Sequence, residues 1–371
     1  MTLWRDPVGW WCALGRPLAH VSRRWAIGLL AALLLALAWS SWSTVQLAKA
    51  DDARVAAKTG TRIGDLQLYD RIHTRFATGE SYYAVALDEQ RSHNYPTRPF
   101  VTVRLPTLAW IDGNVSEPVW KGMALALLVG VLLAWMGALS AMAPLVLRAE
   151  VLGAMVLLFV AGIGLYDARA LQFHELVTGG LLTLALGLYR PQRWWPSLLL
   201  AALALAIREL ALPFVLLWGV LAMFERRWKE AAAIALVIAL FAGAMVFHAQ
   251  AVAPHVLASD PASPGWDGFN GPQMALFSLA KLTALLYLPI AIAAPIALLA
   301  LLGWIALGGR LGLFATIWFI GFFVALSLFA RTNNFYWVLV VLPAYGAGLA
   351  FVPRAIAELV QAALGRQKSL S

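Results

Sequence analysis

Long runs of uncharged apolar residues, separated by short polar breaks, follow one another along most of the chain. A helix needs about 20 predominantly apolar residues to cross the hydrocarbon core of a bilayer. The three central runs are shorter than that, so we expect them to tilt, to borrow flanking polar residues or to enter only partway. The pattern predicts about ten membrane-spanning helices, at residues 25–45, 123–147, 151–166, 176–189, 194–207, 210–224, 231–247, 282–307, 311–330 and 335–352.

The composition agrees with a membrane-embedded chain. Hydrophobic residues make up 61% of the sequence and charged residues only 13%, which is more apolar surface than a soluble domain of this size can bury. Because spanning segments must satisfy their backbone polar groups internally, we predict an all-α polytopic membrane protein that forms a single transmembrane domain, residues 1–371. The only cysteine, Cys12, excludes an internal disulfide. The first apolar run is too long for a cleavable signal peptide.

The distribution of lysine and arginine predicts the orientation. With the N-terminus inside, the inner connections hold most of the basic residues, whereas the short outer loops hold only Arg169, Arg208, Lys281 and Arg331. Because basic residues are retained on the cytoplasmic side, both termini are expected to be cytoplasmic. The net charge of +9 is then a topology signal, and no nucleic-acid partner is needed to explain it. An Ala-, Leu-, Arg- and Trp-rich chain of this kind suits a bacterial inner (plasma) membrane.

Two segments are too long to be simple connections, and both are predicted to be extracytoplasmic: residues 46–121 and residues 248–281. Long loops held at one end of a helix bundle usually carry function. In the first loop, the spacing of Tyr69, Ile72 and Phe76 predicts an amphipathic helix that lies in the membrane interface. Residues 95–99, with two prolines, predict an extended turn.

Ionisable residues gather at the predicted outer ends of the spans. Because charges at that depth are costly, they normally face a protein interior or a wet cavity. We expect no comparable polar cluster at the inner ends, so any chemistry is placed outside. The residues of this outer cluster are Asp167, Arg169, His174, Glu175, Arg208, Glu209 and Arg331.

Three short motifs follow the first span: Gly64-Asp65-Leu66-Gln67-Leu68-Tyr69, then Gly79-Glu80-Ser81-Tyr82-Tyr83, then Tyr95-Pro96 with Arg98-Pro99-Phe100. In order and position they resemble the first outer loop of GT-C superfamily glycosyltransferases, closest to the bacterial type that depends on polyprenyl-phosphate sugars. The resemblance covers residues 25–110 well and the remaining spans loosely. It implies a GT-C-like fold with a long first extracytoplasmic loop that bears interfacial helices.

The resemblance also implies a reaction. The sugar of a polyprenyl-phosphate-linked donor is transferred to a hydroxyl of an envelope glycan or lipid acceptor, with Asp65 as the general base. Cationic side chains stabilise the departing phosphate, and Arg331, Arg208 and Arg104 are the candidates. Membrane lipids are the surroundings, and no cofactor is required, although a divalent cation assists some relatives. The remaining candidates for substrate binding are Tyr69, His174, Glu175, Tyr83 and Glu80.

Simpler interpretations stay open for several of these residues. Asp51 or Asp52 follows the first span more closely than Asp65 and is an alternative base. Asp65 is also a candidate N-cap for a helix that begins at Leu66. Arg208 and Glu209 are equally well explained as an ion pair that closes a helical hairpin. Residues 266–271 form a turn-rich segment that suits a lid.

Two other classes of protein compete with the enzyme. A secondary transporter or lipid flippase is expected to show repeats, broken helices and polar groups near the midplane. Prolines such as Pro213 and Pro289 favour broken helices, but no repeat is evident. A non-catalytic scaffold subunit does not need charges gathered at one face. No spacing of His, Cys and Asp predicts a metal site, and no Gly-Lys-Ser/Thr loop for a nucleotide phosphate is present.

Overall fold

The computed structural model describes residues 6–57, 63–143, 145–166, 170–265 and 268–366. These residues are 80% helical and form no strand, so the all-α prediction is confirmed. Short 3-10 segments connect or extend several of the helices. In chain order the α-helices are α1 Pro7–Ala13, α2 Arg23–Ala56, α3 Asp65–Ala77, α4 Tyr82–Ser92, α5 Thr107–Asn114, α6 Glu117–Ser140, α7 Arg148–Gly162, α8 His174–Leu188, α9 Trp195–Ile207, α10 Leu212–Phe224, α11 Trp228–Val252, α12 Gln273–Leu282, α13 Ile290–Leu307, α14 Gly309–Phe329, α15 Leu342–Tyr345 and α16 Val352–Ala363.

Within the described ranges, five helices are long and apolar enough to cross a membrane: α2, α6, α11, α13 and α14. A sixth crossing is present if the 3-10 segment Thr332–Val340 and the helical stretch Leu342–Ala363, which meet at 65°, form one broken span. Helices α8 and α9, and the stretch Glu209–Phe224, are apolar but shorter. These features support the membrane-protein prediction, while the count of ten spans stays a prediction.

The limits of several predicted runs differ from the observed helices. The run at 282–307 is interrupted, because α13 begins only at Ile290 after a 3-10 segment, Ala284–Tyr287. The first span continues past residue 45, so that α2 ends at Ala56. The predicted second outer loop is also partly helical: it contains the end of α11 and all of α12 except its last residue, Leu282, and the α12 residues Met274 to Ala280 are buried.

The helices pack closely where small residues meet. A Cβ atom on Gly303 of α13 would lie 1.8 Å from the carbonyl oxygen of Gly348, so only glycine permits this approach between α13 and the segment Gly346–Phe351. Small residues are the usual way to bring backbones together inside a membrane, where lipid removes the hydrophobic drive for helices to associate. Aromatic rings fill the space beside this contact, with Trp304 packed edge-on against Trp135 at 5.5 Å.

The first long loop is folded onto the helix bundle. Helix α3 buries one face, which includes Leu68, Tyr69 and Ile72, against α4 and α5. The amphipathic helix predicted here is therefore present, while its position in the membrane interface stays a prediction. It begins at Asp65 with Gly64 as its N-cap, and no side chain caps it. The interpretation of Asp65 as the N-cap is therefore wrong, and the carboxylate is available for other contacts.

The two long loops are joined through residues 95–99 and 257–263, which we call the roof. The N–H of Thr97 donates to the carbonyl of Pro261 at 3.2 Å, and the N–H of Ser263 donates to the carbonyl of Arg98 at 2.6 Å. The Asp260 side chain is 2% exposed and accepts hydrogen bonds from Arg91 at 2.7 Å and from the Thr97 hydroxyl at 2.9 Å. Residues 95–99 are not helical, as the prolines predict.

The Asp260→Asn substitution is expected to loosen the roof. Hydrogen bonds from Arg91, and then from the Leu257 N–H and the Thr97 hydroxyl, hold the pKa of Asp260 well below its usual range. This stabilisation is therefore present above the unfolded pKa of about 3.9 and is lost as the pH falls below it. Hydrogen bonds to a charged group contribute about 1.5–3 kcal/mol. Hydrogen exchange at residues 257–263 should therefore accelerate by about 10- to 100-fold at neutral pH.

The matched control is Asp88→Asn, because Asp88 is 54% exposed and pairs with Arg75 at the surface. Its exchange at residues 257–263 should equal that of the wild type. Equal exchange in Asp260→Asn and wild type would show that Asp260 does not hold the roof.

The other ends of the helices are more polar than the sequence suggests. Glu150 of α7 is 6% exposed and accepts a hydrogen bond from Arg354 of α16 at 2.6 Å. Glu230 of α11 is 1% exposed and accepts from Tyr189 at 3.0 Å and from Trp218 at 2.5 Å. The expectation that this side has no comparable polar cluster is therefore wrong. Both carboxylate oxygens of Glu150 and of Glu230 accept hydrogen bonds from neighbouring donors, so these two residues tie helix ends together.

Candidate functional site

A cavity of about 540 Å³ lies beneath the roof, where α9 and α14 end and α3 begins; we call it the main cavity. Four predicted site residues line it together with Asp65: the arginines 104, 208 and 331, and Tyr69. The structure thus gathers residues that are far apart in sequence. The other residues that line the main cavity are Ile63, Gly64, Leu68, Gln90, Asn94, Tyr95, Pro96, Pro99, Val101, Thr102, Glu209, Pro261, Ala262, Ser263, Pro264, Gly265, Asn333, Asn334, Tyr336 and Trp337.

Asp65 is held in place by the roof. It is half-buried at the first position of α3, and its Oδ1 accepts a hydrogen bond of 2.6 Å from the Tyr95 hydroxyl. The same hydroxyl lies 2.8 Å from the carbonyl oxygen of Ile63. Tyr95 is 7% exposed, so its ring is fixed by packing and its hydroxyl sets the position of the carboxylate. The sequence did not single out Tyr95 for this part.

The Tyr95→Phe substitution removes this hydrogen bond without changing the shape of the ring. A hydrogen bond to a charged group contributes about 1.5–3 kcal/mol. If Asp65 loses its orientation, the turnover rate of the enzyme should therefore fall by about 10- to 100-fold. The measurement is kcat and KM for the transfer reaction proposed below, and the loss is expected in kcat.

Tyr82→Phe is the matched control, because Tyr82 is also buried and donates to a backbone carbonyl, that of Arg104, at 2.9 Å. It removes a comparable hydrogen bond that does not touch Asp65. Similar losses of kcat in the two variants would mean that Tyr95 supports the fold and does not position the base.

Arg208 is locked into a buried ion cluster. Its Nε donates to Oε1 of Glu175 at 2.7 Å, and its Nη1 donates to Glu209. Arg208 is 2% exposed and Glu175 is fully buried. Two carboxylates therefore already neutralise this guanidinium, which supports the ion-pair interpretation of Arg208 and Glu209. Because these carboxylates occupy the guanidinium of Arg208, the structure gives less support to the prediction that Arg208 binds phosphate.

Tyr69 and Arg104 connect this cluster to the main cavity. Arg104 donates from Nε to the Tyr69 hydroxyl at 3.1 Å, and its Nη2 lies 3.9 Å from Oε1 of Glu175. Burial raises the pKa of Tyr69 to about 12 even though Arg104 lowers it, so the phenol stays protonated at neutral pH. His174 packs edge-on against the Tyr69 ring at 5.2 Å and is 1% exposed. His174 therefore packs against Tyr69, which lines the main cavity, but does not line that cavity itself.

Arg331 differs from the other two arginines. It is half-buried, and no residue in the described part of the chain accepts a side-chain hydrogen bond or ion pair from it. Its Cγ packs near Gly268, and a Cβ atom on Gly268 would lie 2.5 Å from that Cγ. A guanidinium that lines a cavity without a carboxylate partner is well suited to an anion such as phosphate.

Other predicted site residues lie elsewhere. The Tyr83 hydroxyl contacts Nδ1 of His248 at 3.1 Å, inside the core between α4 and α11. Glu80 is exposed and pairs with Arg75 at 2.7 Å. Neither residue lines the main cavity, so the structure does not bring them to Asp65.

The alternative bases are also separated from the main cavity. Asp51 is 4% exposed and binds Arg54 at 2.5 Å and Lys281 at 2.7 Å. Asp52 is exposed near the end of α2. Asp65 is the aspartate that lines the main cavity among the described residues. Asp167, Arg169 and residues 266–267 of the predicted lid lie outside the described residues.

Sequence reasoning missed several cavity residues. Asn333 and Asn334 follow Arg331 after one intervening residue, Thr332, and Gln90 and Asn94 lie near the end of α4. Their carboxamides both donate and accept hydrogen bonds, which suits hydroxyl groups of a sugar. Proximity to Arg331 in the sequence was the available signal for Asn333 and Asn334. Across the described ranges, no group of three or more His, Cys, Asp or Glu side chains is arranged to hold a metal ion.

Comparison of this chain with protein families, with curated proteins and with solved structures finds no match. What the main cavity can do must therefore be inferred from its own chemistry. Its described lining offers two carboxylates, of which Glu209 is already paired with Arg208, three guanidinium groups and several carboxamides at one end of an apolar helix bundle. A carboxylate can accept a proton, and a guanidinium can stabilise a departing anion.

Proposed function

We propose that this chain is a membrane-embedded glycosyltransferase of the GT-C type. It moves a hexose or pentose from a polyprenyl-phosphate carrier to a hydroxyl of an envelope glycan or lipid. The observation that carries the proposal is that Asp65 and Arg331 line one cavity, about 540 Å³ in volume, beside membrane-crossing helices. A lipid-linked donor needs that combination of a base, a cation and access from the bilayer.

The proposed reaction balances in atoms and charge. The acceptor hydroxyl attacks C1 of the sugar, a new C1–O bond forms, and the bond between C1 and the phosphate oxygen breaks. Asp65 takes the hydroxyl proton as the attack proceeds. The electron pair of the broken bond goes to the phosphate, which changes from a singly charged diester to a doubly charged monoester. Arg331, assisted by Arg104, stabilises the charge that develops there.

The remaining parts of the proposal concern the membrane. The distribution of basic residues supports an inner (plasma) membrane protein of a bacterium with cytoplasmic termini. The main cavity then faces the extracytoplasmic side, where lipid-linked sugars are used. The donor, the acceptor and the surrounding lipids are the proposed partners.

The test uses purified full-length protein in nanodiscs and a panel of polyprenyl-phosphate sugars. Release of polyprenyl phosphate is measured together with labelled product, so that transfer to water or to an added envelope glycolipid is detected. Turnover of at least one donor supports the enzyme. Absence of turnover, together with protein-dependent movement of the lipid across vesicles, would instead identify a flippase or transporter.

A further inference from the structure

A second cavity, about 470 Å³ in volume, adjoins the main one; we call it the side cavity. Arg331 and Asn333 line both cavities and so form the boundary between them. The side cavity lies against the last turns of α2, which contribute Arg54. The other residues that line it are Gly268, Phe269, Asn270 and Thr332. Nothing in the proposed reaction yet uses this space.

The charge of the side cavity is positive. Among the described residues that line it, both charged ones are arginines, Arg54 and Arg331. Arg54 is bound to Asp51 at 2.5 Å, but the same carboxylate also binds Lys281 at 2.7 Å. Among the described residues of this group, Arg54, Arg331 and Lys281, which lies outside the lining, stand against the one carboxylate of Asp51, so two positive charges are in excess. The main cavity differs, because Glu175 and Glu209 neutralise Arg208 there.

Polar and apolar groups both border these arginines. Thr332 and Asn333 offer a hydroxyl and a carboxamide to an anion. Phe269, in the same lining, is 73% exposed, and Val55, which follows Arg54 in the chain, is 55% exposed. Exposed apolar side chains beside a cationic cavity are suited to an anion that carries a hydrocarbon chain.

We propose that the side cavity binds a phosphate monoester dianion on an apolar chain, held by Arg54 and Arg331. Two positive charges match the two negative charges of a monoester, whereas a diester carries only one. This inference rests on the proposed function for the source of the ligand, because transfer turns the donor diester into a lipid monophosphate. The product phosphate then moves from the main cavity into the side cavity while it stays in contact with Arg331, which lines both. The main cavity is thereby free for the next donor.

The experiment measures binding to full-length protein in nanodiscs of phosphatidylcholine, a lipid without net charge. The probes are farnesyl monophosphate, its methyl diester and inorganic phosphate. We expect the monoester to bind about 10-fold more tightly than the diester, and Arg54→Gln to weaken monoester binding by about 10-fold. The control is Arg71→Gln, because Arg71 is an exposed arginine of α3 away from both cavities. Thermal unfolding verifies that both variants are folded.

Each other outcome has a defined meaning. Equal affinity for monoester and diester, or equal loss in Arg54→Gln and Arg71→Gln, would overturn the site. Equal affinity for inorganic phosphate and farnesyl monophosphate would overturn the apolar part of the ligand. An unfolded Arg54→Gln protein is replaced by Arg54→Lys, which keeps the charge near Asp51 but removes the two-pronged contact, and a smaller loss is then expected. Because binding is measured without turnover, absence of transfer from every donor would refute the proposed function but leave this test intact.

Discussion

Asp65→Asn is expected to abolish most sugar transfer while leaving the protein folded and able to bind donor. General base catalysis contributes about 10²- to 10⁴-fold to a rate, and the amide keeps the size of the side chain but cannot accept the proton. The amide oxygen can still accept the hydrogen bond of 2.6 Å from Tyr95, so the roof should remain in place. The measurement is the initial rate of polyprenyl phosphate release with the best donor of the panel.

The matched control is Asp70→Asn. Asp70 lies on the same helix but is exposed, and its described hydrogen bond is one of 3.4 Å from Gln172. This variant removes the same charge from α3 outside the main cavity and should keep the wild-type rate. If Asp65→Asn also keeps that rate, the base must be another group, and Glu209 is the other carboxylate among the described cavity-lining residues. Equal loss in both variants would point to the net charge of α3.

The helical part of the fold was predictable because an apolar run in a membrane has one main way to pair its backbone groups, which is an α-helix. Backbone groups cannot be left unpaired in lipid, so an uncharged run of sufficient length must be helical. The extent of the interruption at residues 283–289 was not predictable, because Ala284 to Leu288 are as apolar as their neighbours. Pro289 was a signal for the boundary, and α13 does begin directly after it.

The candidate site was predictable only where local sequence marks it. Asp65 lies in a short motif, and Arg331 interrupts two apolar runs, so each is visible without a structure. Tyr95 also lies in a short motif, but its contact with Asp65 was not visible, because it joins residues 30 positions apart. Asp260 was not visible at all, because its part depends on a contact between the two loops. Asp260 meets Arg91 across 169 positions of the chain. No spacing rule reaches that far, and a carboxylate in a polar loop has no distinguishing pattern.

The separation of the three arginines also required the structure. The sequence offered Arg331, Arg208 and Arg104 as candidates for the phosphate, but a guanidinium is visible in a sequence and its partners are not. The described structure gives Arg208 two carboxylates, Arg104 a phenol and a distant carboxylate, and Arg331 neither. The number of carboxylates already bound to each guanidinium thus ranks their capacity for a further anion, with Arg331 first.

Arg208→Leu is therefore expected to act on stability first. It leaves Glu175, which is fully buried, without the partner at 2.7 Å. Breaking a buried pair by removing one member costs about 3–5 kcal/mol, because the remaining charge stays uncompensated. The expected result is a large drop in the free energy of unfolding, measured by denaturant titration of the purified protein in detergent micelles with circular dichroism.

The companion variants separate the two interpretations of Arg208. In the double variant Arg208→Leu with Glu175→Leu, the fully buried charge of Glu175 is also gone and only the half-buried Glu209 has lost its partner, so most of the lost stability should return. Arg331→Leu should change stability by less than about 1 kcal/mol, because a half-buried side chain with no carboxylate partner in the described structure leaves no buried charge behind. That variant should instead bind the donor about 10- to 100-fold more weakly, as expected for loss of a charge-assisted contact to phosphate. The opposite pattern, in which Arg208→Leu is stable but binds the donor poorly, would show that Arg208 binds the donor phosphate. We thus expect Arg208 to contribute mainly to stability and Arg331 mainly to donor affinity, although both line one cavity. The reason is that the carboxylates of Glu175 and Glu209 bind Arg208 and do not reach Arg331.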